Sequence, residues 1–318
     1  MKNESVKRFF HTFRSEISML IVFIIFYIVM SVVSPAFNTK SNILNVLSQM
    51  SVVAIIAIGQ TFVIVSGGID LSVGTIVALS GMIGGMYMAA TQNFVVGILI
   101  ILVVSVLIGA FNGVLIGYLK LPAFIATLGA QVIANSLTYV YSDGNSCSGF
   151  PKMISTLGNG KIFGIRYYII FMVVLYIVMG WVMSNTKVGR FTYAIGSNSE
   201  STRLSGINVK AYTMICYIIC GLMCGFATLV NTARLMAVDP TTGSGLEMDA
   251  IAAVVIGGTS MAGGKGTLFG TFIGVLLYSF LRNALNLLGI NPFWQGTATG
   301  LVIIVAVLAE IMASKRNK

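Results

Sequence analysis

Long uncharged stretches dominate this chain, broken by short polar ones, and the apolar stretches run far beyond the length of a buried core helix. A membrane span needs about 20 mainly apolar residues. The pattern predicts such spans at about 17–35, 44–66, 71–90, 94–117, 122–142, 166–184, 212–232, 249–264, 266–287 and 295–313. The uncharged run from Leu71 to Leu119 is too long for one helix and is divided at Thr91-Gln92-Asn93. The segment at 249–264 is short and ends in glycines, which marks it as a possible re-entrant or broken helix. The first apolar run is longer than the core of a signal peptide and reads as an uncleaved span.

One segment stands apart, the polar loop at about 185–211. It carries Lys187, Arg190, Arg203 and Lys210 against the single acid Glu200. Lys and Arg collect in loops on the cytoplasmic side. With ten spans and a cytoplasmic start, Lys2, Lys7, Arg8, Arg14, Lys120, Lys187, Arg190, Arg203, Lys210, Lys265, Lys315, Arg316 and Lys318 lie inside. Only Lys40, Lys152, Lys161, Arg166 and Arg234 lie outside, while Arg282 falls within the ninth span, near its outer end where it can snorkel. The expected fold is therefore an all-α polytopic membrane protein of about ten transmembrane helices with both termini cytoplasmic.

Composition agrees. Of 318 residues, 57% are hydrophobic and only 9% charged, against about 25% charged in a soluble domain. The net charge of +10 is accounted for by the cytoplasmic face, so no nucleic-acid partner is expected. Cys216, Cys220 and Cys224 recur every fourth residue on one apolar segment and read as small packing residues. Glycine is abundant, with 35 residues. The spacing of Gly109, Gly113 and Gly117, and of Gly266, Gly270 and Gly274, suits close helix–helix approach.

Candidate chemistry is sparse. GGIDLSVG at 67–74 reads as a tight turn in which Asp70 or Ser72 caps the next helix, or as a kink beside a transport path. A partial echo, GGTS at 257–260 with AGGKG at 262–266, suggests a weak internal duplication. Neither stretch has phosphate-loop spacing. In the fifth span, Thr127, Gln131, Asn135 and Thr138 share one helix face. They read either as interhelical glue or as the lining of a water-filled path, joined there by Gln60, Thr61, Asp70 and Asn112. The lone histidine, His11, precedes the first span, and neither a carboxylate pair nor a metal-ligand spacing occurs. No enzyme activity and no cofactor are expected.

Four stretches together carry a resemblance: GGIDLSVG (67–74), PAFIATLG (122–129), AIGSNSESTRLSGINV (194–209) and LEMDAIAAVVIGGTSMAGGKGTLFGT (246–271), with NLLGINPFWQ at 286–295 beside them. The chain resembles the ribose/xylose/arabinose/galactoside permease family over nearly its whole length, except at 142–163. These permeases are membrane subunits of bacterial ATP-binding-cassette importers. The resemblance implies a single permease domain over 1–318 in the bacterial inner membrane that conducts a neutral monosaccharide, ribose or a related pentose. It implies an ATPase on the cytoplasmic face, a sugar-binding protein outside, and a second permease copy, identical or paralogous. It also implies that Gly196, Asn198, Glu200, Ser205, Gly206 and Ile207 belong to short helices seated on the ATPase. The residues themselves agree that Asn198 or Ser199 can cap a helix through Leu204, ended by Gly206 in a left-handed turn. The competing reading is a self-sufficient transporter or channel for a small neutral solute. It calls for a coupling acid at mid-membrane, whereas Asp70 and Glu310 are expected near inner span ends and Glu247 and Asp249 near an outer one.

Overall fold

The computed structural model describes residues 14–291 and, beyond them, 294, 296, 297, 300, 301, 304 and 308. The tenth expected span, Glu310 and His11 fall wholly or largely outside these residues. In chain order the helices are α1 (Arg14–Val33), α2 (Lys40–Val65), α3 (Val73–Thr91), α4 (Phe94–Gly117), α5 (Ala123–Ser142), α6 (Lys152–Asn159), α7 (Tyr167–Asn185), α8 (Lys187–Ser197), α9 (Ser199–Leu204), α10 (Val209–Leu235), α11 (Leu246–Ile256) and α12 (Leu268–Leu287). The strands are two-residue pieces: β1 (Cys147–Ser148) pairs with β4 (Ala237–Val238), and β2 (Lys161–Ile162) with β3 (Ile165–Arg166).

Side-chain oxygens end the polar breaks where backbone donors would otherwise be left over. Thr39, Asn93, Asn208 and Thr267 each accept from the backbone N–H three residues on, opening α2, α4, α10 and α12. Among the described residues, seven helices are long and apolar enough to cross a bilayer: α2, α3, α4, α5, α7, α10 and α12. They divide by burial. α2 is apolar all round and almost entirely enclosed from Val52 to Val65, the signature of a central helix. α4 is just as apolar yet mostly uncovered, with Val95, Leu99, Val103, Leu107 and Phe111 facing outward. Phe124, Ile125, Val132 and Ile133 of α5 do the same. Such faces are stable only against hydrocarbon, so the protein is a polytopic membrane protein.

The glycine spacing of α4 is a packing seam. A Cβ at Gly109, Gly113 or Gly117 would meet Tyr217 O, Met214 Cα or Lys210 O of antiparallel α10 at 2.5, 2.8 and 2.7 Å. All four cysteines are free and buried, and Cys220 packs against Gly59 of α2. Phe23, Tyr27, Phe37 and Phe280 tie α1 to α12 through edge-on and tilted ring contacts. The stretch 142–163 forms β1, α6 and the first strand of the β2–β3 hairpin.

The structure refines three expectations. The segment at 249–264 is not a full span, because α11 has 11 residues and about 16 Å of length, half the ~30 Å of a hydrocarbon core. This helix is flanked by the connection at 236–245, whose Gly243 backbone meets Gly74, and by a glycine turn at 257–266. Glu247 and Asp249 face the interior of the bundle, against Gln131 of α5 and Tyr278 of α12, with Asp249 at the level of the Arg282–Asn283 end of α12. Finally, Arg282, five residues from the end of α12 and 41% exposed, has an acid partner. It forms an ion pair with Asp249 at 2.5 Å.

Candidate functional site

The polar loop folds as two short helices whose ends follow from local chemistry. Thr186 caps α8, and Asn198 Oδ1 accepts from Ser201 N at 2.9 Å to start α9. Ser205 Oγ donates back to Ser201 O, and Gly206 closes the helix with φ +81°. Ile207 is half-buried behind it, and its N–H reaches Thr202 O. Glu200 points outward and accepts both Nε and Nη2 of Arg203, which holds its carboxyl below the usual carboxylate range. Gly196 differs from these five: it faces inward. A Cβ there would overlap Val65 O and lie 2.5 Å from Gly264 N. The two glycine turns meet at this point. Gly264 N donates to Val65 O at 2.8 Å, and a Cβ at Gly263 would come 3.0 Å from Gly67 Cα. Tyr193 of α8 adds a hydrogen bond to Gly266 O at 2.6 Å.

Leu204 escaped sequence reasoning. It is 73% exposed at the end of α9, an apolar side chain projecting into water opposite buried Thr202. Its signal was its position between a cap and a left-handed glycine. A cavity of about 430 Å³ beside α9 is walled by Lys120, Glu200, Arg203 and Lys210.

The GGIDLSVG turn does not stay at the end of the bundle. After Gly67 (φ +86°) the chain folds back between helices, and Asp70 and Ser72 are fully buried. Neither side chain caps α3. Asp70 Oδ1 instead accepts Ser72 N and Oγ at 2.9 and 2.6 Å, a local Asx turn. Asn112 Nδ2 donates to Ser72 Oγ at 2.8 Å, and Gln60 Nε2 donates to Asp70 O at 3.1 Å. Tyr217 and Thr127 donate to Ile69 O. Thr61 is bonded to Thr271 at 2.8 Å. Gln60, Asp70 and Asn112 are thus brought together as an internal brace rather than along a cavity wall, while Thr61 pairs instead with α12.

The four α5 residues divide. Thr127 and Thr138 are buried and donate back to Ala123 O and Ala134 O, four residues earlier. Gln131 and Asn135 line a cavity of about 350 Å³ with Thr75 and Glu247. Gln131 Nε2 lies 3.5 Å from Glu247 Oε1. A second cavity, of about 380 Å³, shares Thr241–Ser244 as a wall and holds the Asp249–Arg282 pair on its far side. Spacing along one helix could not reveal that pair, since its members are 33 residues apart on separate helices.

The bundle thus carries a polar two-helix handle at one end and polar cavities within. The family model described as "Branched-chain amino acid transport system / permease component" matches residues 42–307. The ribose import permease protein RbsC of Haemophilus influenzae is 42% identical over 258 residues, 80% of each chain. That of Bacillus subtilis is 41% identical over 257 residues, again 80% of each. The D-allose transport system permease protein AlsC of Escherichia coli is 38% identical over 81% of this chain and 79% of its own. No solved structure matches the chain. The chain belongs to the branched-chain amino acid transport system / permease component family.

Proposed function

We propose that this protein is the membrane-spanning permease subunit of an ATP-binding-cassette importer for a neutral monosaccharide, ribose or a closely related sugar, in the bacterial inner membrane. The observation that carries the reading is the run of ribose permeases about 40% identical across four-fifths of both chains. The family description names branched-chain amino acids, whereas these relatives and the allose and galactoside permeases name sugars, so the sugar reading rests on the relatives. ATP hydrolysis belongs to a separate subunit, and an extracytoplasmic sugar-binding protein delivers the substrate.

Within this reading α8 and α9 are the ATPase seat. Asn198, Ser205, Gly206 and Ile207 shape it, Glu200 and Leu204 face the partner, and Gly196 docks the seat on the bundle. Two points support a ten-span layout with both termini cytoplasmic. The end of α2, Gly196 and the 263–266 turn lie together at one end of the bundle. The 236–266 stretch also carries the chain from the far end of α10 back to that level despite its half-length helix. Gln131 and Asn135 line the path, while Gln60, Thr61, Asp70, Asn112, Thr127 and Thr138 support it from behind. A second permease copy, identical or paralogous, completes the conduit.

The test is reconstitution of the permease with its ATPase and binding protein in proteoliposomes. ATP-dependent accumulation of labelled D-ribose is expected. Accumulation of leucine but of no monosaccharide refutes the reading.

A further inference from the structure

The loop Thr241–Ser244 separates two polar cavities inside the bundle, and the one on the side of α2 and α12 has a built wall. Asp249, in the first turn of the half-length α11, is 16% exposed and accepts Arg282 Nη1 on Oδ2 and Tyr278 OH on Oδ1. Tyr278 and Arg282 are four residues apart on α12, so both reach one carboxylate, and the guanidinium also lies 5.8 Å over the Tyr278 ring. Gln49 of α2, Asn283 of α12 and Asn231 of α10 share the polar lining with Arg234, Asp239 and Asn286. Asn231 is 94% buried, at 6% exposure, and its Oδ1 is held by Arg234 Nη2 at 3.3 Å. Its Nδ2 donates to no acceptor among the described residues.

Arg282 is 41% exposed and lies five residues from the end of α12, so the pair is only partly desolvated and its charges stay open to a ligand in the cavity. If its task were only to join α11 to α12, apolar side chains would serve as well or better. The pair also has a specific electrical character. It is internally neutral, and Arg234 and Asp239 on the same wall also offset each other in formal charge, so the cavity presents donors and acceptors without a net charge that a ligand must balance. The companion cavity is different, holding Glu247 with no cationic side chain on its wall. Planar groups such as carboxylate, guanidinium and amide match pairs of adjacent hydroxyls, each of which donates and accepts at once.

We propose that the cavity walled by Gln49, Asn231, Asp249, Tyr278, Arg282 and Asn283 is the station at which the permease itself holds a neutral polyol during passage. The proposal rests on the sugar-importer reading and adds the site. Asp249 and Arg282 orient adjacent hydroxyls, Asn231 and Gln49 supply amide contacts from the facing helices, and Thr241–Ser244 closes the inner side.

The test uses the full transporter in right-side-out vesicles, with Gln49→Cys labelled by a membrane-impermeant cationic methanethiosulfonate. The four native cysteines are buried and give little background. Saturating D-ribose is expected to slow labelling at Gln49→Cys and to leave Asn159→Cys, on exposed α6, unchanged. Labelling at position 49 should also block uptake. Asn231→Ala should reach the membrane in normal amount and lower ribose uptake about three- to ten-fold, the loss expected for one or two hydrogen bonds. If the wild-type transporter takes up ribose but ribose neither protects position 49 nor depends on Asn231, the site is wrong and the importer reading stands. If no monosaccharide is taken up and leucine alone protects, both fail.

Discussion

Gly196→Ala tests whether the seat is fixed to the bundle by bare backbone. The added Cβ would overlap Val65 O and stand 2.5 Å from Gly264 N. These are backbone atoms, which cannot turn aside as a side chain could. The end of α8 must retreat, which strains the 2.6 Å bond from Tyr193 OH to Gly266 O, and Val65 and Gly264 are wedged apart, which strains the 2.8 Å bond between them. Each bond contributes about 0.5–1.5 kcal/mol net, and overpacking costs about 1–3 kcal/mol. The sum is about 2–6 kcal/mol, which for a protein of this size lowers Tm on the order of 10 °C. Gly129→Ala is the control, since a Cβ there meets nothing within 4 Å. The assay is thermal unfolding of the detergent-solubilised permease, followed by ATP-driven uptake with its partners. Gly196→Ala should lose both stability and uptake, and Gly129→Ala neither. Wild-type Tm and uptake for Gly196→Ala would refute the docking argument.

Asn135→Leu should reduce sugar uptake while assembly persists, because the side chain is exposed to the 350 Å³ cavity; lost assembly with retained specific uptake would make it packing glue. Gly206→Val forces a β-branched residue into φ +81° at a cost of about 1–2 kcal/mol, and Glu200→Arg places like charge beside Arg203. Both should insert normally yet co-purify with less ATPase, and normal pull-down for both would make the segment a spacer. Because Arg203 lowers the Glu200 pKa from 4.5, any contribution of this exposed pair is complete at neutral pH and disappears as pH falls through the lowered value; thermal scans across that range should nonetheless shift little, since both groups are exposed. Ser197→Cys and Asn159→Cys should label from opposite membrane faces, and labelling from one face would overturn the ten-span layout.

How much of this was legible in the chain depended on the range of the cause. Helix α9 was readable up to its cap, left open between Asn198 and Ser199, because Asn198, Ser205 and Gly206 act within one turn of the atoms they satisfy. The seam of Gly109, Gly113 and Gly117 was readable as packing from spacing alone, though not its partner. Depth was not readable. Whether GGIDLSVG ends at the surface or turns back inside depends on Gln60, Asn112 and Tyr217 reaching it from three other helices. The polar face of α5 was read as one surface, but a threonine can fold its hydroxyl onto its own helix while glutamine and asparagine extend outward. The loop at 236–245 looked like an outer connection because its descent is fixed by Gly243 meeting Gly74, far away in sequence.

The half-length α11 has a consequence for how the protein is made. A segment of 11 residues offers the insertion machinery too little apolar length to partition into lipid by itself. Its buried face, Ala250 to Ile256, packs on α2 and α12. The segment must therefore wait at the translocon until α12 has emerged from the ribosome, and then enter the bilayer with it as a hairpin against helices already in place. Biogenesis of the last quarter of the chain is thus concerted, whereas the spans before it can be threaded one at a time.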